Sequence, residues 1–279
     1  MYMTPLNKNE LDQIFEERSQ LIIRYHIAKC LFAEPDPIKN SSEVSFRVPN
    51  EHAEQWIAQA IGGQRIGAGS YPIDVLDSEI SFGCDIAVLT AKTLVSGELA
   101  GSTSGEKSIG QKFSDVTWAG GQSLDELFNQ ERIYEIAENS NNIFFEKFNG
   151  IKNSYPTIQN IYYFFLIIHS VKNKIYLSGL NLNIDNKQEV GNPDRVNPGN
   201  DLKSVRLDNF IDDRYGEVKT YKAKKRMELR LRPKNLVDDN LCLIFDTKKD
   251  RSNKFLRNFD KKELIKLFEK QSLEQNFNF

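Results

Sequence analysis

Cysteine, histidine and tryptophan are scarce in this chain of 279 residues, which has three Cys, three His and two Trp. Each scarcity excludes a class of chemistry. Cys30, Cys84 and Cys242 are odd in number, far apart and set in apolar contexts. They read as reduced thiols, with no disulfide framework and no zinc site. His26, His52 and His169 are isolated, with neither HxH nor HExxH spacing, which argues against zinc hydrolases and HNH-type metal sites. His169, next to Ile167 and Ile168, reads as a strand histidine. There is no Walker A lysine motif and no G-x-S-x-G elbow, and Gly62, Gly63, Gly67 and Gly69 do not make a dinucleotide fingerprint. Long apolar runs are also missing. The longest, Ile161 to Ile168, is too short to span a bilayer, and Met1 to Glu10 has no apolar signal core. These absences lead to the expectation of a soluble, cytoplasmic protein. An excess of one charge is lacking too. The formal net charge of −2 gives no overall pull toward a polyanion, so any such pull must come from local distribution.

What is present is core-forming material. Hydrophobic content of 39% and aromatic content of 11% indicate an ordered globular chain, long enough for one large domain. Apolar residues at helical spacing predict one or two helices over 8–33, halted by Glu34-Pro35-Asp36-Pro37. A second helix is expected from Asn50, as its N-cap, to Gly62-Gly63. Strands are expected at 73–76 and 84–89. A Gly/Ser-rich loop carrying a short helix near Ile109 covers 95–121, and a helix covers 124–148. Apolar strands at 161–170 and 174–180 flank a turn at Asn173. Residues 181–216 read as a long polar loop of the kind that is usually functional or disordered. Strands follow at 221–232 and 241–245, with a closing helix over 261–270. The fold class is therefore α/β or α+β, a mixed central sheet flanked by helices. Its parts are an N-terminal helical piece (1–40), a core (50–180) and a C-terminal part (181–279).

The most telling pattern is Tyr71-Pro72-Ile73-Asp74 followed by Asp85-Ile86-Ala87. Hydrolysis of a phosphodiester at neutral pH needs an activated water and neutralisation of charge on the transition state. Carboxylates converging from separate elements can supply both by holding Mg²⁺. Asp74 and Asp85 lie on adjacent strands of an expected hairpin. Strand alternation puts Asp85, Ala87 and Leu89 on one face and Cys84, Ile86 and Val88 on the other. Position 87 is thus where a residue acting alongside Asp85 belongs, whereas Lys92 has the opposite parity. Glu54 shares a helical stripe with Ile57, Ala58 and Ile61, where a carboxylate is costly unless paired or metal-bound. Glu51, one turn earlier, is its alternate. The bland reading of all these acids is turn capping, helix-dipole complementarity or solvent exposure.

Pro72-Ile73-Asp74 and Asp85-Ile86-Ala87, with Glu54 upstream, resemble the PD-(D/E)xK nuclease superfamily over roughly residues 50–92. The chain size resembles that of a type II restriction endonuclease. The PD element carries one inserted residue, and alanine stands for the motif lysine. The resemblance implies a restriction-endonuclease-like core and Mg²⁺-dependent, sequence-specific cleavage of double-stranded DNA by a homodimer. Asp74 and Asp85 would be metal ligands, Glu54 would assist them, and Ala87 would occupy the seat of the lysine that orients the attacking water. Three explanations for Ala87 stand side by side: an inactivating substitution, natural loss of activity, or a lysine relocated to Lys92. The alternative function is a non-catalytic DNA-binding protein on a degenerate nuclease fold. A protein-interaction or toxin-immunity module would leave the basic segment unexplained.

That segment carries Lys219, Lys222, Lys224, Lys225, Arg226, Arg230, Arg232 and Lys234 against only Glu228, with Tyr221 among them. Such a run can neutralise phosphates and release counterions. Alternation around Met227, Leu229 and Leu231 would set Glu228, Arg230 and Arg232 on one face of a ribbon, where arginines can read guanine edges. The plain alternative is a solvated outer strand. Arg195, in the polar loop, is a further candidate for base contacts. The run from Lys248 to Lys270 is diluted by acids and reads as helix surface. Ser104-Gly105-Glu106-Lys107 reads as a helix start, with a phosphate contact as the alternative.

Overall fold

A computed structural model describes residues 1–33, 47–66, 73–77, 79, 81–110, 121–196, 201–247 and 266, for 31–33 as backbone only. Tyr71, Pro72 and the expected closing helix, apart from residue 266, lie outside the described residues, as does most of the run from Lys248 to Lys270.

The N-terminal half comprises β1 (Met3–Pro5), α1 (Lys8–Ile14), α2 (Glu17–Ala33), α3 (Asn50–Ala60), β2 (Gln64–Arg65), β3 (Val75–Leu76), β4 (Phe82–Thr93), β5 (Leu99–Thr103) and β6 (Lys107–Gly110). Two helices, α4 (Leu124–Asn129) and α5 (Ile133–Ser154), lead into β7 (Asn160–His169) and β8 (Lys174–Leu182). The remainder is β9 (Asp194–Arg195), β10 (Ser204–Leu207), β11 (Gly216–Tyr221), β12 (Arg226–Leu231), α6 (Pro233–Asp238) and β13 (Leu243–Asp246). The chain is thus mixed α/β, with parallel and antiparallel pairing in one central sheet.

That sheet runs β1-β8-β7-β4-β3-β2, with β13 also on β8 and β5 on the far end of β4. β4 and β7 pair in parallel from Phe82↔Asn160 to Thr90↔Ile168, so the chain between them must cross over, which it does through α5. Alternation then sorts the side chains. Cys84 and Ile86 of β4, with Phe164, Leu166 and Ile168 of β7, meet Leu11, Phe15 and Ile23 of the first two helices and Trp56 and Ile57 of α3. Ala87 and Leu89, with Tyr163, Phe165 and Ile167, face the other way, toward Phe144 and Phe148 of α5. A second sheet, β6-β12-β11-β10-β9, is entirely antiparallel. It delivers Ile109, Val205, Val218, Met227, Leu229 and Leu231 to this second core.

Several segments differ from their sequence-based expectation. Residues 95–121 hold β5 and β6 where a loop with a short helix was expected. Strands this short carry too few apolar residues to announce themselves; β5 folds straight back on β4, and the partner of β6, β12, is remote in sequence. The long polar loop contains β10, whose Val205 and Leu207 are buried by pairing with β11. The expected strand over 221–232 is a hairpin. Its turn at 222–225 has no Gly or Pro, and Lys225 takes a left-handed φ of 47°. The helix expected over 124–148 breaks at Glu131, where φ is +54°, and resumes as far as Ser154. Pro49, not Asn50, holds the N-cap position of α3; the Asn50 side chain is spent elsewhere, as described below.

Candidate functional site

β3 is only two residues long, pairing Val75 with Cys84 and Leu76 with Gly83. Its brevity leaves the edge of β4 open just beyond Cys84. Close approach of the preceding hairpin depends on Gly63, where a Cβ would lie 2.4 Å from the Leu76 carbonyl oxygen. Asp74 is tied to β4 by its own N–H, which donates to the Cys84 carbonyl at 2.8 Å. Side chains then satisfy the open edge where a neighbouring strand is missing. Asp74 Oδ2 accepts the Ile86 N–H at 2.8 Å, and Asn50 Oδ1 accepts the Val88 N–H at 2.9 Å. Further along, the Ser104 N–H and Oγ both donate to the Thr90 carbonyl. The result is a notch bounded by Cys84 and Thr90, with Asp85 on its floor.

The two aspartates come close enough there to interact electrostatically. Burial first, then the nearby Asp85 carboxyl, push the Asp74 pKa up to about 8, against the pull of the Ile86 N–H and Lys107. Lys107 comes from the second sheet. Its Nζ donates to Asp85 Oδ1 at 2.8 Å and to the Ile86 carbonyl at 3.4 Å. The Lys107 and Asp85 side chains are only 21% and 9% exposed, so the pair is screened from water far more than a surface ion pair. Burial works against the Lys107 charge, yet Asp85, Asp74 and Glu54 together hold its pKa above the ordinary lysine value.

Two more groups face this cluster. Lys147 of α5 donates to the Ile109 carbonyl at 3.3 Å, and its Nζ stands 4.8 Å from the centroid of the Phe148 ring. Burial lowers its pKa, and the positive charge of Lys107 adds to this against the pull of Asp85 and Asp74. Tyr163 pairs with Asp85 across the parallel ladder, and its buried hydroxyl has no hydrogen-bond partner among the described residues. Burial first, then the two aspartates, raises the Tyr163 pKa well above that of an ordinary phenol.

Of the expected site residues, Asp74 and Asp85 are therefore brought together. Ala87 shares the face of Asp85 but is buried in the core beside it. Lys92 is exposed near the far end of β4. The Glu54 carboxylate is ion-paired with Arg65 of β2 and acts electrostatically on Lys107. Among the described residues, no group of three or more His, Cys, Asp and Glu side chains gathers as a metal site. Glu51 is exposed on the first turn of α3.

Lys107 was hidden in a turn that reads as a helix start. The signal that reveals it is parity, because Lys107 shares a strand face with the fully buried Ile109. A lysine on an inward face is costly unless paired. Lys147 likewise lies on the inward stripe of α5, three residues from Phe144 and next to Phe148 and Ile151.

The basic segment is extensively neutralised by acids that are remote in sequence. Glu228 is a buried acid of β12, 1% exposed, and not part of an open ribbon face. It takes ion pairs from Lys224 and Arg226. Glu106 takes Arg230 at 2.7 Å and Lys224 at 2.9 Å. Lys219 pairs with Glu217, Lys225 with Asp125, and Arg195 with Glu131. Lys222 donates to Asn129 Oδ1 at 2.6 Å. Arg232 sits at the N-cap of α6, its N–H donating to the Tyr215 carbonyl.

The aspartate pair has the chemistry of a divalent-cation seat. A half-buried and a buried carboxyl, beside the Ile86 carbonyl and the unpartnered Tyr163 hydroxyl, are oxygen donors of the kind a hard cation takes. No helix among the described residues is long and apolar enough to cross a membrane. Comparison with protein-family models, with curated proteins and with solved structures finds no match to this chain.

Proposed function

We propose that the chain is a Mg²⁺-dependent, site-specific endonuclease of double-stranded DNA, of the PD-(D/E)xK restriction type. In this reading Lys107 performs the task that sequence spacing assigns to residue 87. The observation that carries it is the contact of Lys107 Nζ with Asp85 Oδ1, beside Asp74 in a notch of the sheet edge. A lysine arriving from another strand makes Ala87 a native core residue and removes the need for an inactivating substitution.

Asp74, Asp85 and the Ile86 carbonyl would hold Mg²⁺, with water and substrate oxygens completing its preferred six-coordinate shell. When bound, the ion would supply charge neutralisation at the phosphate and acidify a coordinated water. Lys107 orients that water and supplies positive charge close to the reacting phosphate. Lys147 adds a second ammonium on the same side. Asp74 has to give up its proton before the seat can fill, so Mg²⁺ affinity rises with pH. Two copies related by a twofold axis would address the two strands of a palindromic site.

The runner-up is a non-catalytic DNA-binding protein, favoured by the absence of a third carboxylate at the described site. Plasmid cleavage with and without Mg²⁺, by the native chain and by Asp85→Asn, separates the two. Metal-dependent nicking lost in the variant supports the enzyme. Tight duplex binding by an inert native chain supports the runner-up.

A further inference from the structure

The turn between β11 and β12 forms one wall of a surface cavity of about 560 Å³. That is within the range of about 300–1,000 Å³ that small-molecule sites occupy, large enough for one nucleotide unit. Its charge is lopsided: Lys203, Lys222, Lys224 and Lys225 face Asp125 and Asp201. Lys224 is taken up by Glu106 and Glu228, so Lys203, Lys222 and Lys225 face Asp125 and Asp201, a small local excess of positive charge in a chain whose formal net charge is −2. Leu202, Ala223 and the Tyr221 ring supply apolar surface between the lysines. Lysines for a phosphate beside an apolar wall for a flat base is the combination used for single-stranded nucleic acid.

The cavity is also wired to the notch. The Tyr221 hydroxyl donates to Glu106 at 2.7 Å, and Lys224 Nζ donates to the same carboxylate at 2.9 Å. Glu106 immediately precedes Lys107 on the chain, so one short segment carries both the cavity's acid anchor and the ammonium that holds Asp85. Burial raises the Tyr221 pKa, and its bond to Glu106 adds to the effect, so its hydroxyl stays a donor to that anchor. Lys222 and Lys225 reach the cavity from the opposite side, where they are steadied by Asn129 and Asp125 of α4.

We infer that this cavity binds one phosphorylated nucleotide unit of an unpaired strand, its phosphate on Lys222 and Lys225 and its base against Leu202 and Ala223. The inference rests on the nuclease reading for its substrate class. It adds a subsite for frayed or single-stranded DNA, separate from the aspartate notch.

The test uses the full chain in EDTA, so that no cleavage intervenes. Anisotropy titrations follow 3′-labelled, 5′-phosphorylated tetrathymidylate, its unphosphorylated form, and tetraglutamate. The phosphorylated strand is expected to bind at least tenfold more tightly than tetraglutamate, with the unphosphorylated form, which keeps three phosphodiesters, in between. Lys222→Ala/Lys225→Ala should weaken it at least tenfold and flatten the log–log salt dependence by about 0.7, the value for one lost phosphate contact. An unchanged melting temperature of that double variant certifies its fold. Equal binding of tetraglutamate, or an unaltered affinity and salt slope in the double variant, overturns the inference. Plasmid cleavage is scored separately. An inert chain that still binds the phosphorylated strand through these lysines loses the nuclease reading and keeps the subsite; a cleaving chain without this binding does the reverse.

Discussion

Replacing Lys107 is the most discriminating perturbation of the site. Lys107→Met keeps the length and apolar stem of the side chain and removes the ammonium that stands 2.8 Å from Asp85 Oδ1. Because the Asp85 side chain is only 9% exposed, the loss leaves a buried carboxylate without its cation. Breaking a buried pair from one side costs about 3–5 kcal/mol, within the 5–15 kcal/mol by which domains are typically stable. The variant should fold with a lower urea midpoint. Its cleavage rate should fall about 10²–10³-fold, the usual contribution of a positioned charge-stabilising donor, or about 3–4 kcal/mol of barrier. Ala87→Lys supplies the second arm. With Lys107 in place, a lysine at this buried position adds an unpaired ammonium to the core, so activity should not rise and stability should fall. In Lys107→Ala/Ala87→Lys, the new side chain rises on the Asp85 face two residues along the strand, and part of the lost rate should return. Single-turnover plasmid nicking with Mg²⁺, alongside circular dichroism, measures all three. Lys107→Met cleaving at the native rate while Ala87→Lys accelerates cleavage would refute the assignment of Lys107.

Further predictions concern protons, metal and packing. The folded Asp74 pKa of about 8 stands above its ordinary 3.8, so its stabilising protonated form is retained at low pH and lost as pH rises. Between about pH 4 and 8 stability should therefore decline as pH rises, a dependence that Asp74→Asn should abolish in urea titrations. Mg²⁺ should raise the melting temperature at pH 8, through a stabilisation of about 2.7 kcal/mol at a hundredfold excess over Kd, and should have little effect on Asp85→Asn. A melting temperature of the native chain indifferent to Mg²⁺ would remove the metal seat. Glu228→Gln leaves Lys224 and Arg226 short of their buried acceptor and should cost about 1–3 kcal/mol by chemical denaturation. Phe148→Ala removes a ring lying 4.9 Å from Phe144 and 5.7 Å from Tyr163, and should cost about 3–5 kcal/mol.

The residues themselves determined the parts of this protein that depend on local patterning. Alternation in β4 put Asp85 and Ala87 on one face and Cys84 and Ile86 on the other, and the two cores sort in that way. The apolar pair β7 and β8, with its turn at Asn173, was legible because β7 is an almost continuous apolar run, buried on both faces. Asp74 and Asp85 were legible as a pair because a short hairpin brings them together at small sequence separation. Tertiary structure alone decided what surrounds them. Lys107 is 22 residues from Asp85 and arrives on a strand of four residues whose partner, β12, lies more than a hundred positions downstream. Neither its strand nor its destination has a local signature. The same limit governs the basic segment, whose acids Glu106 and Asp125 come from other elements. Charge and periodicity are properties of the sequence. Which charge meets which is fixed only when distant strands pair, because a long-range ion pair leaves no trace in local composition.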